Sequence, residues 1–258
     1  MAQTVTIIGL QSIGLIKPGD SISEIIWKAA KSEHVELLDQ DVIVVSQKII
    51  SKAEGQLIDV SKIKPSAKAR SIAKRTKKSP QLIELILRDS AKILRAEKRA
   101  LIVKRNDGFV CLNAGVDKSN VNGATIYTRL PPNADLSAHK LRAELKQLSG
   151  KHIAVIIGDT YSRPSRLGQV EFAIGISGIA PIIDYRGKQD LFGYELKFKY
   201  VALADEIAAA AELVMGQGTE ATPVAIVRGL PRLQQTNEEG LSKKLALGRQ
   251  KDLFGGIL

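Results

Sequence analysis

Two stretches of this 258-residue chain place oxygen-bearing side chains directly after a short apolar run. Residues 153–157 lead into Asp159 and Thr160, and residues 109–112 precede Asp117. Carboxylate and hydroxyl oxygens are the ligands that hard cations such as Mg²⁺ and Mn²⁺ prefer. These residue types therefore predict a divalent-metal site, and an ordinary Asx-rich turn is the alternative interpretation around Asp117.

Arginines and lysines near the same strand ends predict contact with anions. Arg163 and Arg166 follow Thr160 closely, and guanidinium groups donate paired hydrogen bonds to carboxylate or phosphate. Lys48 and Lys52 follow an apolar run and would share one face of a helix, where ammonium groups could contact phosphates. Surface salt bridges and a solvated helix face are the respective alternatives.

A glycine-containing segment, 215–222, lies between a predicted helix and a predicted strand. Gly216 and Gly218 would let backbone N–H groups approach an anion closely, although a helix C-cap explains Gly216 equally well. The familiar nucleotide and hydrolase signatures are absent, since the chain has no Walker motif, no Gly-x-Gly-x-x-Gly after a strand and no Gly-x-Ser-x-Gly.

Composition narrows the class of protein further. The chain has 38 lysine and arginine residues against 27 acidic residues, a net charge of +11, which indicates a nucleic-acid, membrane-surface or polyanionic small-molecule partner, or a solvated basic surface. The single cysteine, Cys111, excludes an intrachain disulfide and fits a reducing, cytoplasmic compartment. The longest mostly apolar stretch, 173–183, is shorter than the roughly 20 residues that a membrane helix needs.

The elements that must position these residues alternate in a mixed order. Apolar β-branched runs predict strands at 42–45, 101–103, 109–112, 153–157 and 224–227, and alternation predicts a half-exposed strand at 196–200. Capping and periodicity predict helices after Ser21, after Ser79-Pro80 with Leu82, Ile86, Ile93 and Leu94 on one face, at 141–148 before Gly150, and at 204–215 before Gly216.

This order predicts a mixed α/β (α+β) fold rather than a strict βαβ repeat. The composition turns polar and basic after Gly229, which predicts a folded core over residues 1–230 and a basic C-terminal tail over residues 231–258.

Taken in order, these segments resemble the coenzyme F420-0:L-glutamate ligase family over residues 9–230. The resemblance is carried by Ser51-Lys52-Ala53-Glu54-Gly55, Asn113-Ala114-Gly115-Val116-Asp117 with Ser119-Asn120-Val121, Asp159-Thr160 with Arg163-Pro164, Gly168-Gln169-Val170, Ala173-Ile174-Gly175, Asp184-Tyr185-Arg186-Gly187, Asp190-Leu191, Ala204-Asp205-Glu206 and Val227-Arg228-Gly229-Leu230. Each piece alone is nonspecific, whereas the ordered series is specific.

The resemblance implies an enzyme that joins L-glutamate to the lactyl carboxylate of coenzyme F420-0 through an acyl phosphate and then adds a second, γ-linked glutamate. It implies GTP as co-substrate, Mg²⁺ or Mn²⁺ at two sites with K⁺ as a further candidate ion, and an intertwined cytoplasmic homodimer. The implied mixed sheet is neither a Rossmann nor a P-loop fold. Residues 1–230 would then be the catalytic core.

The family's site residues carry over by position. Asp117, Asp159, Thr160 and Gln217 are the expected metal ligands, and Asp117 and Asp159 are also expected catalytic residues. Arg163 is a third expected catalytic residue on the ground of its charge, which could hold the acceptor's phosphodiester or the incoming glutamate. The expected nucleotide contacts are Ser12, Ile13, Gly14, Leu15, Gln47, Lys48, Lys52, Asn120, Met215, Gly216, Gln217, Gly218, Thr219, Glu220, Ala221 and Thr222.

Three departures from the family pattern leave alternatives open. Ile13-Gly14-Leu15 replaces Gly-Leu-Pro, Ser162 and Ser165 alter the loop expected near the acceptor, and Gln217 is a neutral oxygen donor where some relatives have a carboxylate. A ligase of the same fold that acts on a different acid is therefore an alternative.

A basic nucleic-acid-binding protein is a second alternative, because residues 62–78 contain eight lysines and arginines and no acidic residue. That stretch has no aromatic residue on which a base could stack, which argues against nucleic acid and favours a solvated helix face.

Overall fold

The computed structural model describes residues 2–98 and 100–247, and it confirms a mixed α/β fold. The chain forms two compact units, one made of Met1–Ala53 with Pro132–Leu245 and the other centred on Glu54–Pro131.

The first unit contains the elements β1 (Thr6–Leu10), α1 (Ile22–Ser32), β2 (Val42–Ser46) and α2 (Gln47–Ala53). The second unit contains β3 (Leu57–Asp59), α3 (Ala67–Thr76), α4 (Pro80–Arg88), β4 (Ser90–Glu97), β5 (Ala100–Arg105), β6 (Val110–Leu112) and β7 (Ile126–Thr128). The first unit then resumes with α5 (Ala134–Ser149), β8 (Ala154–Ser162), β9 (Gln169–Ser177), β10 (Ile183–Asp184), β11 (Tyr200–Val201), α6 (Leu203–Met215) and β12 (Val224–Arg228).

A five-stranded mixed sheet organises the first unit, in the order β1-β12-β2-β8-β9. β2 and β8 run parallel, and the other neighbouring pairs are antiparallel. The predicted strands 42–45, 153–157 and 224–227 are confirmed. They are continuous apolar runs because both faces of these inner strands are buried, and α6 packs Ile207 and Ala211 against Val44 and Ile156 on one face.

Helix boundaries follow the predicted caps, with one error. The Ser21 side chain accepts a hydrogen bond from the N–H of Glu24, and that of Ser79 accepts one from the N–H of Leu82. The prediction that the helix after Ser79 continues through Ile93 and Leu94 is wrong. The Ser90 hydroxyl donates to the carbonyl of Ile86 and closes α4, after which Ile93 pairs with Val103 in an antiparallel ladder.

The prediction of a strand over residues 196–200 is also wrong. Strand pairing is limited to Tyr200–Val201 opposite Ile183–Asp184. Alternation predicts a strand only where one face is buried, and the Phe198 side chain, which should lie on that face, is 88% exposed.

The second unit has a three-stranded antiparallel sheet, β4-β5-β6, and a separate β3-β7 pair. Its core brings Ile83 and Ile86 of α4 together with Leu101 and Val103 of β5. Glu54–Pro131 holds 17 of the 38 lysines and arginines but 7 of the 27 acidic residues, so it carries +10 of the net charge of +11.

The basic residues of α3 lie on a solvated face, as predicted. Its buried face consists of Ala69, Ile72, Ala73 and Thr76, whereas its lysines and arginines are exposed.

An ion pair joins β12 to the residue before β2, at the end of the sheet opposite to the predicted site. Arg228, at the end of β12, donates from Nε to Asp41 Oδ1 at 2.8 Å and from a terminal nitrogen to Asp41 Oδ2 at 2.7 Å. Asp41 precedes β2 and is 1% exposed, so this ion pair is buried on its acidic side.

Part of the predicted C-terminal tail packs on the first unit. Leu241 is completely buried, and the N–H and hydroxyl of Ser242 donate to the carboxylate of Asp135 at the start of α5. Residues 248–258 of the predicted tail lie outside the described residues, and the division at residue 230 stays a prediction. None of the helices within the described ranges is long and apolar enough to cross a membrane.

Candidate functional site

Four of the predicted site segments meet at one end of the five-stranded sheet. In the register of the strands, Leu10 pairs with Val224, Val224 with Val45, and Ser46 with Gly158. The ends of β1 and β2, the start of β12 and the Asp159 position of β8 therefore lie side by side. Ligands of α/β proteins bind where strands end in this way, because loops and helix starts converge there.

The four segments are those that the sequence singled out. Residues 12–15 follow β1, Gln47 begins α2 directly after β2, and Asp159 and Thr160 lie on β8. Residues 216–222 connect α6 to the start of β12. The sheet thus brings together parts of the chain that are more than 200 residues apart.

A buried glutamate beside Asp159 was missed by the sequence reasoning. Thr160 pairs with Glu171 across β8 and β9, and the Glu171 side chain is folded over Gly158. A Cβ at position 158 would lie 2.4 Å from Glu171 Oε1, so only glycine leaves room for this carboxyl. The available signal was a single glutamate inside the apolar stretch 170–176.

The electrostatics of this cluster are unusual. Glu171 is 3% exposed, and burial, together with the negative charges of Asp159 and Glu212, raises its pKa to about 8. A hydrogen bond from Gln217 acts in the opposite direction. Acidic groups are therefore concentrated where the sequence predicted metal ligands, and a bound cation would favour the ionised form of Glu171.

Glu212 of α6 was also missed, and it joins three parts of the site. Its Oε2 accepts a hydrogen bond from the backbone N–H of Glu171 at 2.9 Å. Its Oε1 accepts one from Gln217 Nε2 at 2.8 Å, and the same nitrogen lies 3.4 Å from Glu171 Oε2. The predicted ligand Gln217 is thus held by two carboxyl groups.

The glycine-containing segment folds around another glutamate. Glu220 Oε2 accepts a hydrogen bond from the N–H of Gly218 at 2.7 Å. Gly216 has φ +66°, and a Cβ there would lie 2.4 Å from Glu220 Cδ. Position 216 therefore requires glycine both for its backbone conformation and for the close approach of the Glu220 side chain.

The two predicted lysines lie on a helix, as the spacing suggested. Gln47 is buried and its Oε1 accepts a hydrogen bond from the Ser51 hydroxyl, which fixes the first turn of α2. Burial and the neighbouring Lys48 ammonium lower the pKa of Lys52 below its usual value. An anion bound here would offset the repulsion between the two ammonium groups.

The loop after β1 is held by a carboxylate from α1. Glu33 Oε1 accepts hydrogen bonds from the N–H groups of Gln11 and Ser12 and from the Ser12 hydroxyl. Burial opposes ionisation of Glu33, but these hydrogen bonds outweigh it and keep the pKa of Glu33 below its usual value. Ile13 is buried, whereas a Cβ at Gly14 would meet no atom within 4 Å.

Arg163, after β8, has a buried donor that lacks a protein partner. Its Nε is inaccessible to solvent and makes no hydrogen bond within the described part of the chain. Buried donors in proteins are nearly always satisfied, so this nitrogen calls for an acceptor from outside the described residues, either a ligand or an ordered water. Arg166 is exposed.

The second unit contains the remaining predicted residues, Asp117 and Asn120. Asp117 accepts hydrogen bonds from the N–H groups of Lys118 and Ser119 and from the Ser119 hydroxyl, which is the Asx-type turn raised as the alternative. Asn120 is exposed, with φ +51°. The roles of Asp117 as a metal ligand and of Asn120 as a nucleotide contact stay predictions.

The donors predicted in the first unit suit hard cations that also take ligands from a substrate. The described residues contain no group of three or more histidine, cysteine, aspartate or glutamate side chains arranged to hold a metal. The donors predicted in this unit are one carboxylate, one hydroxyl and one amide oxygen, from Asp159, Thr160 and Gln217. Mg²⁺ is commonly bound by one or two carboxylates with waters and substrate phosphates, which matches such a sparse set.

The amino-acid sequence matches a known protein family. The family model described as F420-0:Gamma-glutamyl ligase matches residues 11–229. The chain belongs to this ligase family. The match spans all the predicted site residues, from Ser12 to Thr222, and therefore both units.

Named relatives are similar over nearly their whole length. The coenzyme F420:L-glutamate ligase of Methanothermobacter thermautotrophicus is 43% identical over 252 residues, which are 98% of this chain and 99% of that protein. Those of Methanocaldococcus jannaschii and Archaeoglobus fulgidus are 44% and 42% identical, and each alignment covers 88% of the relative. For the chain described here, membership of the family confirms the resemblance drawn from its motifs.

Proposed function

We propose that this chain is a GTP-dependent ligase that adds L-glutamate to the lactyl carboxylate of coenzyme F420-0 and then adds a second glutamate through a γ-linkage. Family membership supports the acceptor and the amino acid, since the similar proteins are named coenzyme F420:L-glutamate ligases. The observation that carries the proposal is the convergence of the predicted metal and nucleotide segments at one end of the first unit's sheet.

The reaction needs an activated carboxylate. A carboxylate is a poor electrophile, because its charge repels nucleophiles and oxide is a poor leaving group. Attack of a carboxylate oxygen on the γ-phosphorus of GTP gives an acyl phosphate and GDP. The amine of glutamate then attacks the acyl carbon, phosphate leaves with the C–O bond electrons, and the amine proton passes to phosphate or water.

The residues of the site suit the charge that builds up in the first step. Asp159, Thr160 and Gln217 would hold Mg²⁺ or Mn²⁺, with K⁺ as a further candidate ion. Asp117 is a further proposed metal ligand, as the family resemblance implies. A bound divalent ion supplies Lewis-acid polarisation and neutralises phosphate charge. Lys48 and Lys52 add fixed positive charge for the phosphates of GTP.

Arg163 is assigned to the acceptor or to glutamate. Its buried Nε needs an acceptor, and both the phosphodiester of the F420 precursor and the carboxylates of glutamate offer paired oxygens. In this role Arg163 positions a reactant next to the Asp159 region rather than contacting GTP.

The proposal includes an intertwined cytoplasmic homodimer, as the family resemblance implies. Support for a self-interface comes from the segment between β10 and β11. Leu191, Phe192 and Phe198 are between 88% and 98% exposed there, and Tyr194 is 61% exposed. Exposed apolar side chains grouped in this way mark interaction surfaces in soluble proteins.

One incubation tests the activity. The purified protein is mixed with coenzyme F420-0, GTP, Mn²⁺ and L-glutamate, and products are analysed by mass spectrometry and nucleotide chromatography. We expect one or two added glutamyl units, with one GDP released per unit. Replacing GTP by ATP should abolish most of the product.

The acceptor alternative is tested in the same assay. Ser162 and Ser165 differ from the family pattern next to Arg163, so a different acid acceptor is the second candidate. GDP release that depends on another carboxylic acid, with no mass increase of coenzyme F420-0, would establish that alternative instead.

A further inference from the structure

We propose that Glu212 is a positioning residue that fixes the orientation of the Gln217 side-chain amide, so that its carbonyl oxygen rather than its NH₂ group is presented to the cation. This inference rests on the proposed function, because it assigns a role to a residue beside the proposed metal site.

The argument begins with the two oxygens of the Glu212 carboxylate. One oxygen accepts the backbone N–H of Glu171 on β9, and the other accepts Gln217 Nε2 after the end of α6. The first hydrogen bond ties the carboxylate to the sheet, so the second holds the Gln217 amide at a fixed place. Glu212 is partly buried, whereas Gln217 is exposed.

The orientation of the amide follows from its chemistry. A carboxylate accepts hydrogen bonds and an amide NH₂ donates them, so the NH₂ end of Gln217 faces Glu212. Glu171 Oε2 lies 3.4 Å from the same nitrogen and adds to this preference. The Gln217 carbonyl oxygen is left as the only atom of the amide that can bind a cation, and a flipped amide would present two N–H donors to it instead.

Glutamate is required at position 212 because two acceptors are needed. A glutamine there has one carbonyl oxygen, so its NH₂ group would face either the N–H of Glu171 or the NH₂ of Gln217. The first arrangement sets donor against donor. The second does so unless the Gln217 amide flips, which would turn its NH₂ group towards the cation. Glu212→Gln therefore either breaks one of the two hydrogen bonds or reverses the Gln217 amide, while it conserves size and shape.

Exchanging the two side chains restores both hydrogen bonds. In Glu212→Gln/Gln217→Glu, the amide at position 212 accepts from the Glu171 N–H and donates to the carboxylate at position 217. The double variant Glu212→Ala/Gln217→Glu has the same carboxylate at position 217 but nothing to hold it. Both variants carry the same added charge at position 217. A difference in their Mn²⁺ affinity therefore reports the hydrogen bond from position 212.

The test measures Mn²⁺ binding by electron paramagnetic resonance of the free ion, using the full chain with and without GDP. Glu212→Gln should weaken Mn²⁺ binding by roughly 10–100-fold, the effect typical of residues that orient metal ligands. Glu206→Gln, the same change at an exposed position of α6, should stay within about twofold of wild type and serves as the control. The exchanged double variant should bind Mn²⁺ at least tenfold more tightly than Glu212→Ala/Gln217→Glu.

Three results would overturn the inference. They are wild-type Mn²⁺ affinity in Glu212→Gln, equal affinities in the two double variants, and no Mn²⁺ binding by the wild-type chain. Thermal unfolding of each variant shows whether a loss of binding reflects loss of the fold, and the comparison of the two double variants remains decisive in that case. Failure of the proposed function appears differently, as Mn²⁺ binding that follows the expected pattern in a chain that adds no glutamate.

Discussion

Replacing Gly158 by alanine should destabilise the protein through one identifiable contact. The new Cβ would lie 2.4 Å from Glu171 Oε1, 2.8 Å from Cγ and 3.0 Å from Cδ, all closer than ordinary van der Waals contact. Glu171 is 3% exposed, so its side chain cannot move into solvent without opening the packing between β9 and α6. Overpacking of this kind costs about 1–3 kcal/mol.

The assay is a double-mutant cycle in urea, with the single variants Gly158→Ala and Glu171→Ala and the double variant. Removal of the Glu171 carboxyl removes the atoms that the new Cβ meets. The cost of Gly158→Ala should therefore be smaller by more than about 0.5 kcal/mol in the Glu171→Ala background, since independent sites deviate from additivity by no more than that. Gly14→Ala is the matched control, because a Cβ there meets nothing within 4 Å and should leave stability within about 1 kcal/mol of wild type.

The cycle can refute the reasoning directly. An equal cost of Gly158→Ala in both backgrounds would show that the glycine is needed for another reason, such as strand geometry at the irregularity between Ile157 and Gly158. A neutral Gly158→Ala in the wild-type background would show that the Glu171 side chain does not occupy the observed position.

Four further predictions follow from the site and the fold. Asp159→Asn should keep the fold and lower turnover by about 10²-fold or more, as when one transition-state electrostatic contact is lost; wild-type turnover with unchanged metal dependence would contradict the assignment. Arg163→Glu should raise KM for the acceptor or glutamate more than KM for GTP, and an effect confined to GTP would exclude the proposed role. Arg228→Leu should lower the free energy of unfolding by about 3 kcal/mol in a urea titration, because it leaves Asp41 buried and unpaired; Arg228→Lys should lose less. Phe192→Ser should weaken self-association in light scattering without lowering the melting temperature, and an unchanged dimer would remove this segment from the interface.

The site was only partly accessible from sequence. Asp159 and Thr160 stand out because polar side chains directly follow an apolar strand, and the ordered motifs recover the family. Glu171 and Glu212 do not stand out, since a glutamate within a strand or on an alanine-rich helix is ordinary until its neighbours are known. Their importance arises from the pairing of β9 with β8 and from the packing of α6 against that pair.

The errors in the predicted elements have the same origin. Helical spacing from Leu82 onward continues by chance into Ile93, whereas the Ser90 hydroxyl ends α4 and pairing with β5 decides the next segment. Alternation over residues 196–200 predicts a strand, but no buried surface lies beneath Phe198. The local pattern of residues indicates which secondary structures a segment can form. Contacts with residues distant in the chain determine which of these it adopts.

The sequence by itself determined the buried strands, the capped helices, the basic stretch and the family, because each is recorded in the order of neighbouring residues. Only the tertiary structure decided that the segments after β1 and β2, before β12 and within β8 lie at the same end of the sheet. Strand order and register depend on hydrogen bonds between residues far apart in the chain. The same holds for the charge of +11. Its total was fixed by composition, but the compact unit that holds +10 of it, Glu54–Pro131, could be delimited only from the folded chain.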